Sequence, residues 1–154
     1  MTDRRVNPEY VRAVAGLVNR APYLELLSIR LEDLSWGGSL MAIDLGEKHL
    51  QPYGMVHGGV FASIVDAAAF WAVFSQVEDE VGLTTVEIKL NYLAPAREGK
   101  LIARGRSIKL GKSLGLGEAR VVDQGERLLA YGTATMMCVP MQLEGARDLP
   151  PKWL

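Results

Sequence analysis

The feature that most constrains this chain is one long apolar segment with a single acidic residue inside it. Residues 58 to 77 read GGVFASIVDAAAFWAVFSQV, and Asp66 lies near the centre of that segment. A helix that spans a bilayer needs about 20 such residues. An ionised group is costly at the bilayer centre, however, and the residues that follow, EDEVG, include no basic anchor. We therefore expect a buried core helix, apolar on every side, and no membrane span.

Short patterned segments surround this helix. Asn7 and Pro8 resemble a helix start, and apolar residues at helical spacing predict a helix over residues 8 to 19, which Pro22 ends. The strands are predicted at residues 28 to 35, 38 to 45, 83 to 93, 100 to 110, 114 to 123 and 127 to 139, with a hairpin turn at Gly37-Gly38. The tail, residues 140 to 154, contains three prolines and is predicted to be irregular.

These elements predict one α+β domain over residues 1 to 154, in which about six strands wrap one helix. Consecutive strands joined by short turns predict an antiparallel sheet. Strict alternation in residues 83 to 93 puts Val86 and Ile88 on one face and Thr85 on the other. Six strands around one helix leave sheet edges uncovered, which favours association with a second copy.

Composition excludes several classes of protein. The net charge is −1 at pH 7, which gives no global positive field for nucleic acid or an anionic membrane. The one cysteine, Cys138, cannot form an internal disulfide, and MTDRRVNPEY at the N-terminus has no apolar run. We therefore expect a cytoplasmic protein. His49 and His57 are the only histidines, so a zinc site is not expected.

The pair Gly58-Gly59 at the helix start has two interpretations. The first N–H groups of a helix have no internal partner and carry the positive end of the helix dipole. Glycine allows a ligand atom to approach these groups, so they can stabilise the negative charge on a carbonyl oxygen under attack. The alternative is that the two glycines only make the turn into the helix.

Asp66 has no cationic side chain at the helical positions three and four residues away. Burial should therefore raise the pKa of its carboxyl group, as suits a general base or nucleophile. The eight residues from Gly58 to Asp66 rise about 12 Å along a helix, whereas reacting groups must approach to about 3 Å. If both act on one carbonyl, the aspartate comes from a second subunit, and the site lies at a two-fold dimer interface.

Three segments together resemble a known family. They are HLQPYGMVHGGVFASIVDAAA at residues 49 to 69, TTVEIKLNYLAPAREGKLIARG at 84 to 105 and LGKSLGLGEARV at 110 to 121. The chain resembles hotdog-fold acyl-CoA thioesterases, of the phenylacetate-pathway and 4-hydroxybenzoyl-CoA types, over residues 28 to 139. The resemblance implies a long helix wrapped by a curved antiparallel sheet, obligate homodimers that often form dimers of dimers, and no metal or other cofactor.

The resemblance also assigns roles to residues of this chain. Gly58 would donate its N–H to the thioester oxygen, and Asp66 of the partner subunit would be the nucleophile or the base that activates water. Gln51 would orient that carboxylate or water, Thr85 would position the water, and His57 would fix the loop before the helix. Relatives with a hydroxyl residue one turn after the carboxylate differ from this chain, which has Phe70 there.

A basic segment is the candidate site for coenzyme A. It covers residues 97 to 112 and contains Arg97, Lys100, Arg104, Arg106, Lys109 and Lys112. Arg97, Lys109 and Lys112 are the residues expected to bind the phosphates of coenzyme A through charge-assisted hydrogen bonds, although an ordinary solvated strand face remains the alternative. The remaining candidate contacts are Gly59, Gly111 and Ser113.

The expected reaction is hydrolysis of a short-chain, medium-chain or aryl acyl-CoA to a free acid and coenzyme A, with coenzyme A present only as part of substrate and product. Two alternatives stay open: a non-catalytic module that binds acyl-CoA, and a hotdog enoyl-CoA hydratase or dehydratase, which normally needs a catalytic histidine paired with an aspartate.

Overall fold

The long apolar segment forms one helix inside a sheet. The computed structural model describes residues 4 to 154. In chain order the helices and strands are α1 (Pro8–Val18), α2 (Pro22–Leu27), β1 (Arg30–Ser35), β2 (Gly38–Asp44), α3 (Gly58–Phe74), β3 (Gly82–Tyr92), β4 (Lys100–Leu110), β5 (Leu114–Val122) and β6 (Leu128–Val139). Two short 3₁₀ turns occur at Glu47–His49 and Ala146–Asp148.

The six strands form one sheet in the order β1-β2-β4-β5-β6-β3, and every neighbouring pair is antiparallel. The curved sheet packs against α3, which confirms the predicted α+β hotdog fold. Neighbours in sequence are not always neighbours in the sheet. The strand β4 pairs with β2, and β3 pairs only with β6, so β3 is an edge strand.

The sheet approaches α3 closely because three of its strands carry glycine where they cross the helix. A Cβ atom on Gly105 of β4 would lie 2.1 Å from the Ala68 carbonyl oxygen, and one on Gly117 of β5 would lie 2.7 Å from the Ala69 carbonyl oxygen. On β6, a Cβ atom on Gly132 would lie 2.9 Å from a methyl group of Val65. Real Cβ atoms do not make such contacts, so only glycine lets the strands wrap this helix.

The N-terminal helix is confirmed, but the interpretation of Pro22 is wrong. The Asn7 side chain accepts a hydrogen bond from the Glu9 N–H at the start of α1. Pro22 lies at the first position of α2, where its missing N–H costs nothing, and therefore begins a second helix that was not predicted. Ser28, predicted to begin a strand, has φ 56° and is the left-handed C-cap of α2.

The predicted alternation in β3 is also wrong, because a β-bulge interrupts the strand. The pairing with β6 shifts between Thr85 and Glu87, which leaves Val86 as the extra residue. The bulge puts Thr85 on the same face as Tyr92, and both contact α3. Thr85 thus points at the helix instead of away from it.

The end of α3 is fixed by the C-terminal residues. The helix ends at Phe74, three residues before the predicted end, and the Trp153 side chain donates to the Ser75 carbonyl oxygen at 2.9 Å. The buried Lys152 ammonium donates to the Val77 carbonyl oxygen at 2.7 Å. Val6 and Trp153 form an isolated bridge that joins the two ends of the chain. Among the helices of residues 4 to 154, none is long and apolar enough to cross a membrane.

Candidate active site

One N–H group in the first turn of α3 donates to no acceptor in the described part of the chain. The His57 imidazole Nδ1 accepts the Gly59 N–H at 2.8 Å, and the His57 carbonyl oxygen accepts the Val60 N–H at 2.9 Å. The Tyr92 hydroxyl donates to the Gly58 carbonyl oxygen at 3.2 Å. The Gly58–Gly59 peptide is therefore held at both ends. No hydrogen bond among residues 4 to 154 has the Gly58 N–H as its donor.

A cavity of about 410 Å³ lies at this helix start, and we call it the Gly58 cavity. Gln51, Gly58, Phe61 and Tyr92 contribute to its lining. A Cβ atom on Gly58 would lie 3.0 Å from the Tyr92 ring, so glycine keeps this surface free of a side chain. The Gln51 side-chain oxygen accepts the Tyr53 N–H, which fixes the loop before the helix.

The carboxylate half of the predicted site lies in a different cavity. The Asp66 cavity has a volume of about 820 Å³, and its lining includes Asp66, Thr85, Phe70, Trp71 and Ile88. The Thr85 hydroxyl donates to Asp66 Oδ1 at 2.8 Å. Burial raises the pKa of the Asp66 carboxyl group above its ordinary value, and the Thr85 hydrogen bond opposes that rise. Among residues 4 to 154, Thr85 is the one hydrogen-bond donor to the Asp66 carboxylate, which lies beside an apolar space.

One chain does not bring these two halves together. The helix runs unbroken from Gly58 to Asp66, so the two residues lie about 12 Å apart along its axis. The Gly58 cavity and the Asp66 cavity share no lining residue. One cluster contains Gln51, His57 and Gly58, and the other contains Thr85 and Asp66. The first can stabilise the carbonyl oxygen and the second can supply the base or nucleophile, so each has half of what attack on a carbonyl requires.

The predicted coenzyme A contacts are also divided within the chain. Arg97 donates to the carbonyl oxygens of Tyr53 and Gly54 at 3.3 Å, next to the Gly58 cavity. Gly111 and Lys112 border a cleft with Gln76, beyond the other end of α3. A helix of 17 residues is about 25 Å long, so the two regions are well separated. Gly59 lies at the start of α3, the end of the helix near Arg97. Lys109 and Ser113 flank the turn at Gly111, near the other end of the helix.

The basic residues of this region differ in their partners. Lys100, Arg104 and Arg106 each form an ion pair with a glutamate, at 3.6, 2.7 and 2.6 Å. Within the described part of the chain, no carboxylate lies within 4.0 Å of Arg97, Lys109 or Lys112. These three cations are therefore the ones available to an anionic ligand.

His49 and Cys138, the other side chains that could act as a base or a nucleophile, have structural surroundings. Both ring nitrogens of the buried His49 are used, by the Gly46 N–H at 2.9 Å and the Leu27 carbonyl oxygen at 2.7 Å. Burial raises the pKa of the Cys138 thiol, which makes the thiolate scarcer. No group of three or more potential metal ligands occurs among residues 4 to 154.

Two tyrosines near the site were missed from the sequence. The contact of Tyr92 with Gly58 spans 34 positions of the chain and depends on where β3 meets the start of α3, which no local sequence pattern indicates. Tyr23 lies on α2 and contacts Ser63 of α3 at 2.7 Å. Pro22 was the available signal, since proline at a first helical position predicts a helix start.

Comparisons with known proteins bear on the family and the fold of this chain. The thioesterase superfamily model matches residues 53 to 130. A 1,4-dihydroxy-2-naphthoyl-CoA hydrolase of Listeria monocytogenes is 29% identical over 112 residues, which are 73% of this chain and 91% of that protein. A thioesterase family protein of Silicibacter pomeroyi is 30% identical with a TM-score of 0.77, covering 86% of this chain and 99% of that one. A thioesterase of Haemophilus influenzae, 19% identical, superposes with a TM-score of 0.81 over 91% and 96% of the two chains, which supports the fold.

Proposed function

Because this chain belongs to the thioesterase superfamily, we propose that it hydrolyses acyl-CoA thioesters to a free acid and coenzyme A. The proposed site is formed by two copies of the chain. Gly58 of one copy and the partner subunit's Asp66 would face the same thioester carbonyl. The single observation that carries this proposal is that the unused Gly58 N–H and the Asp66 carboxylate lie in separate cavities, on one unbroken helix.

Each half has a defined part in the reaction. The Gly58 N–H, at the positive end of the helix dipole, stabilises the negative charge that develops on the thioester oxygen. The Asp66 carboxylate attacks the thioester carbon, or removes a proton from the water that attacks it. In both routes a carbon–oxygen bond forms, the carbon–sulfur bond breaks, and coenzyme A leaves as the thiolate and takes up a proton. Attack by water gives the free acid directly, whereas attack by the carboxylate gives a mixed anhydride, which a water molecule then hydrolyses to the free acid and the restored Asp66 carboxylate. Gln51 and Thr85 orient the water and the carboxylate, and these bond changes require no metal or other cofactor.

The edge strand β3 is the proposed contact between the two copies. It pairs with β6 on one side only, and its apolar side chains Val86 and Ile88 are 55% and 39% exposed. An unpaired apolar edge of this kind readily adds a strand from a second chain. Thr85 lies on this strand and Asp66 beside it, so an edge-to-edge dimer would bring a partner to the Asp66 cavity. A dimer of such dimers in the cytoplasm is the assembly we propose.

Coenzyme A is proposed to bind through Arg97, Lys109 and Lys112, the basic residues of segment 97 to 112 that form no ion pair within the described part of the chain. Arg97, next to the Gly58 cavity, is placed to meet a phosphate that enters with the thioester. The other proposed contacts of coenzyme A are Lys109, Lys112, Gly59, Gly111 and Ser113. Because Lys112 lies at the opposite end of α3 from Arg97, it would serve the site of the other copy.

Thiol release from a panel of acyl-CoAs tests the proposal. The wild-type protein should release coenzyme A, and Asp66→Asn should lower the rate by at least about 10²-fold, the usual contribution of a general base. Asp148→Asn is the matched control, because that exposed aspartate lies in the C-terminal tail. Binding of acyl-CoA without thiol release would indicate the non-catalytic module, and hydration of an enoyl-CoA would indicate the hydratase. Unchanged thiol release by Asp66→Asn would exclude the mechanism.

A further inference from the structure

The Asp66 cavity extends beyond the carboxylate to an apolar space that α2 helps to enclose. Phe70 and Trp71 of α3 and Ile88 of β3 line it, as does Tyr23 of α2. The space continues from the carboxylate that would attack the thioester, so it is where the acyl group would lie. Tyr23 and Ser63 place hydroxyl groups in this apolar lining.

The hydrogen bonds of these two hydroxyl groups fix where their protons point. Ser63 has one proton, and its hydroxyl donates to the Gly59 carbonyl oxygen at 2.8 Å, because a carbonyl oxygen can only accept. The 2.7 Å contact between Tyr23 and Ser63 must then have the Tyr23 hydroxyl as donor. Both protons are used, and the Tyr23 oxygen has lone pairs left. The Tyr23–Ser63 pair therefore presents acceptors to the cavity and no donor.

We propose that the Tyr23–Ser63 pair selects acyl groups that carry a hydroxyl group on an otherwise apolar body. This inference rests on the proposed function, since it places the acyl group in the Asp66 cavity. Ser63 precedes Asp66 by three residues, so the pair lies about one helical turn, or about 4.5 Å along the axis, from the attacking carboxylate. A hydroxyl group on the acyl part at that distance from the thioester donates to the Tyr23 oxygen. An acyl group with only an acceptor there faces lone pairs and is disfavoured.

The same contact could instead serve only to hold α2 against α3. A tether of that kind would affect all acyl groups equally, because it acts on the helix and not on the ligand. Selection by the lone pairs of Tyr23 depends on the substituent of the acyl group. The ratio of kcat/KM between two matched substrates therefore separates the two roles.

The test compares benzoyl-CoA, hydroxybenzoyl-CoA and methoxybenzoyl-CoA, with meta and para substituents, in three proteins. Wild type should prefer the hydroxy over the methoxy substrate by about tenfold in kcat/KM, the worth of one hydrogen bond. Tyr23→Phe removes the accepting oxygen from a residue that is 60% exposed, so the fold should persist while the preference falls toward one. Tyr131→Phe is the matched control, because Tyr131 contacts Glu118 on the sheet and is not in the cavity lining, and it should keep the preference.

A second variant reverses the polarity of the pair. Ser63→Ala removes the acceptor of the Tyr23 proton, which becomes free to point into the cavity, so the methoxy substrate should gain relative to wild type. No preference in wild type, an unchanged ratio in both variants, or an equal loss on all substrates would overturn the inference while leaving the proposed function intact. If wild type hydrolyses none of the acyl-CoAs, the proposed function fails, and this inference fails with it.

Discussion

At the scale of single residues, Asp66 is a carboxylate at a place where a charge is costly. Burial raises the pKa of the Asp66 carboxyl group, and only the Thr85 hydroxyl, at 2.8 Å, favours the charged form. Such a group reduces the stability of the fold when ionised, which is the usual cost of an active carboxylate. Removing the charge of Asp66 is therefore expected to lower activity and to raise stability.

Asp66→Asn should make the protein more stable at neutral pH. Because the folded-state pKa is raised, the protonated carboxyl group favours folding below the unfolded-state pKa, and that contribution is lost as pH rises through the folded-state pKa. The uncharged amide avoids the loss. The free energies of unfolding of wild type and variant, measured by urea denaturation, should be similar in acid and should diverge as Asp66 ionises. A variant less stable than wild type at neutral pH would contradict the assignment.

Thr85→Val should shift the acid limb of the pH–rate profile to higher pH. The valine keeps the shape of threonine but removes the hydroxyl that stabilises the charged carboxylate, so the pKa of Asp66 rises further. The profile of kcat/KM against pH measures this shift. Thr84→Val, on the adjacent exposed residue of the same strand, is the control and should leave the limb in place. An acid limb that stays in place or moves to lower pH in Thr85→Val would mean that the hydroxyl does not stabilise the charged form of Asp66.

Some residues of the candidate site can be predicted from the sequence, and others cannot. Asp66 is recognisable as an acidic residue with no cation at helical spacing, and Gly58 as glycine at a helix start. Thr85 was named from the family resemblance, but its face was assigned wrongly, because a bulge shifts the alternation. Tyr23 could not be placed, because its contact with Ser63 spans 40 positions of the chain and depends on how two helices pack.

At the scale of secondary structure, the fold depends on how closely the sheet packs against α3. The glycines of β4, β5 and β6 remove side chains where the strands cross the helix backbone. Ser39 of β2 reinforces this packing, since its buried hydroxyl donates to the Ala68 carbonyl oxygen at 2.6 Å. The position of α3 in the sheet, and with it the positions of Gly58 and Asp66, is thus set by small residues.

Gly105→Ala should destabilise the protein by at least about 1–3 kcal/mol, the usual cost of overpacking a core. The added Cβ would lie 2.1 Å from the Ala68 carbonyl oxygen, which is backbone and cannot move aside alone. Gly16→Ala is the control, because nothing lies within 4 Å of the new atom in α1 and alanine favours a helix by about 1 kcal/mol. In thermal denaturation, the midpoint temperature should fall for Gly105→Ala and should rise for Gly16→Ala. Equal behaviour of the two variants would show that the close packing is not required.

Most elements of the fold are predictable from local patterns, and their order in the sheet is not. The boundaries of β4 match the prediction, because period-two alternation and the flanking turns are local signals. The pairing of β2 with β4 and of β3 with β6 joins segments that are far apart in the chain, and no single window of sequence contains both partners. The helix α2 was missed because Pro22 can both end and begin a helix.

At the scale of the whole molecule, one chain contains the parts of a site but not an assembled site. Gly58 and Asp66 are separated by about 12 Å along the axis of one unbroken helix, and they line separate cavities. The exposed edge of β3 offers a surface on which a second copy can bind. The account therefore makes assembly a condition for catalysis, and this condition can be tested with two inactive chains.

The most direct measurement mixes Asp66→Asn chains with Gly58→Val chains, whose side chain would crowd the Tyr92 ring and block the helix start. Each variant alone should be nearly inactive. In a mixed dimer with shared sites, one site combines the intact Gly58 of the first chain with the intact Asp66 of the second, while the other site has both defects. Random mixing should therefore restore about a quarter of wild-type thiol release. If the mixed dimers form but release no more thiol than the separate variants, each site belongs to one chain, and the account is contradicted.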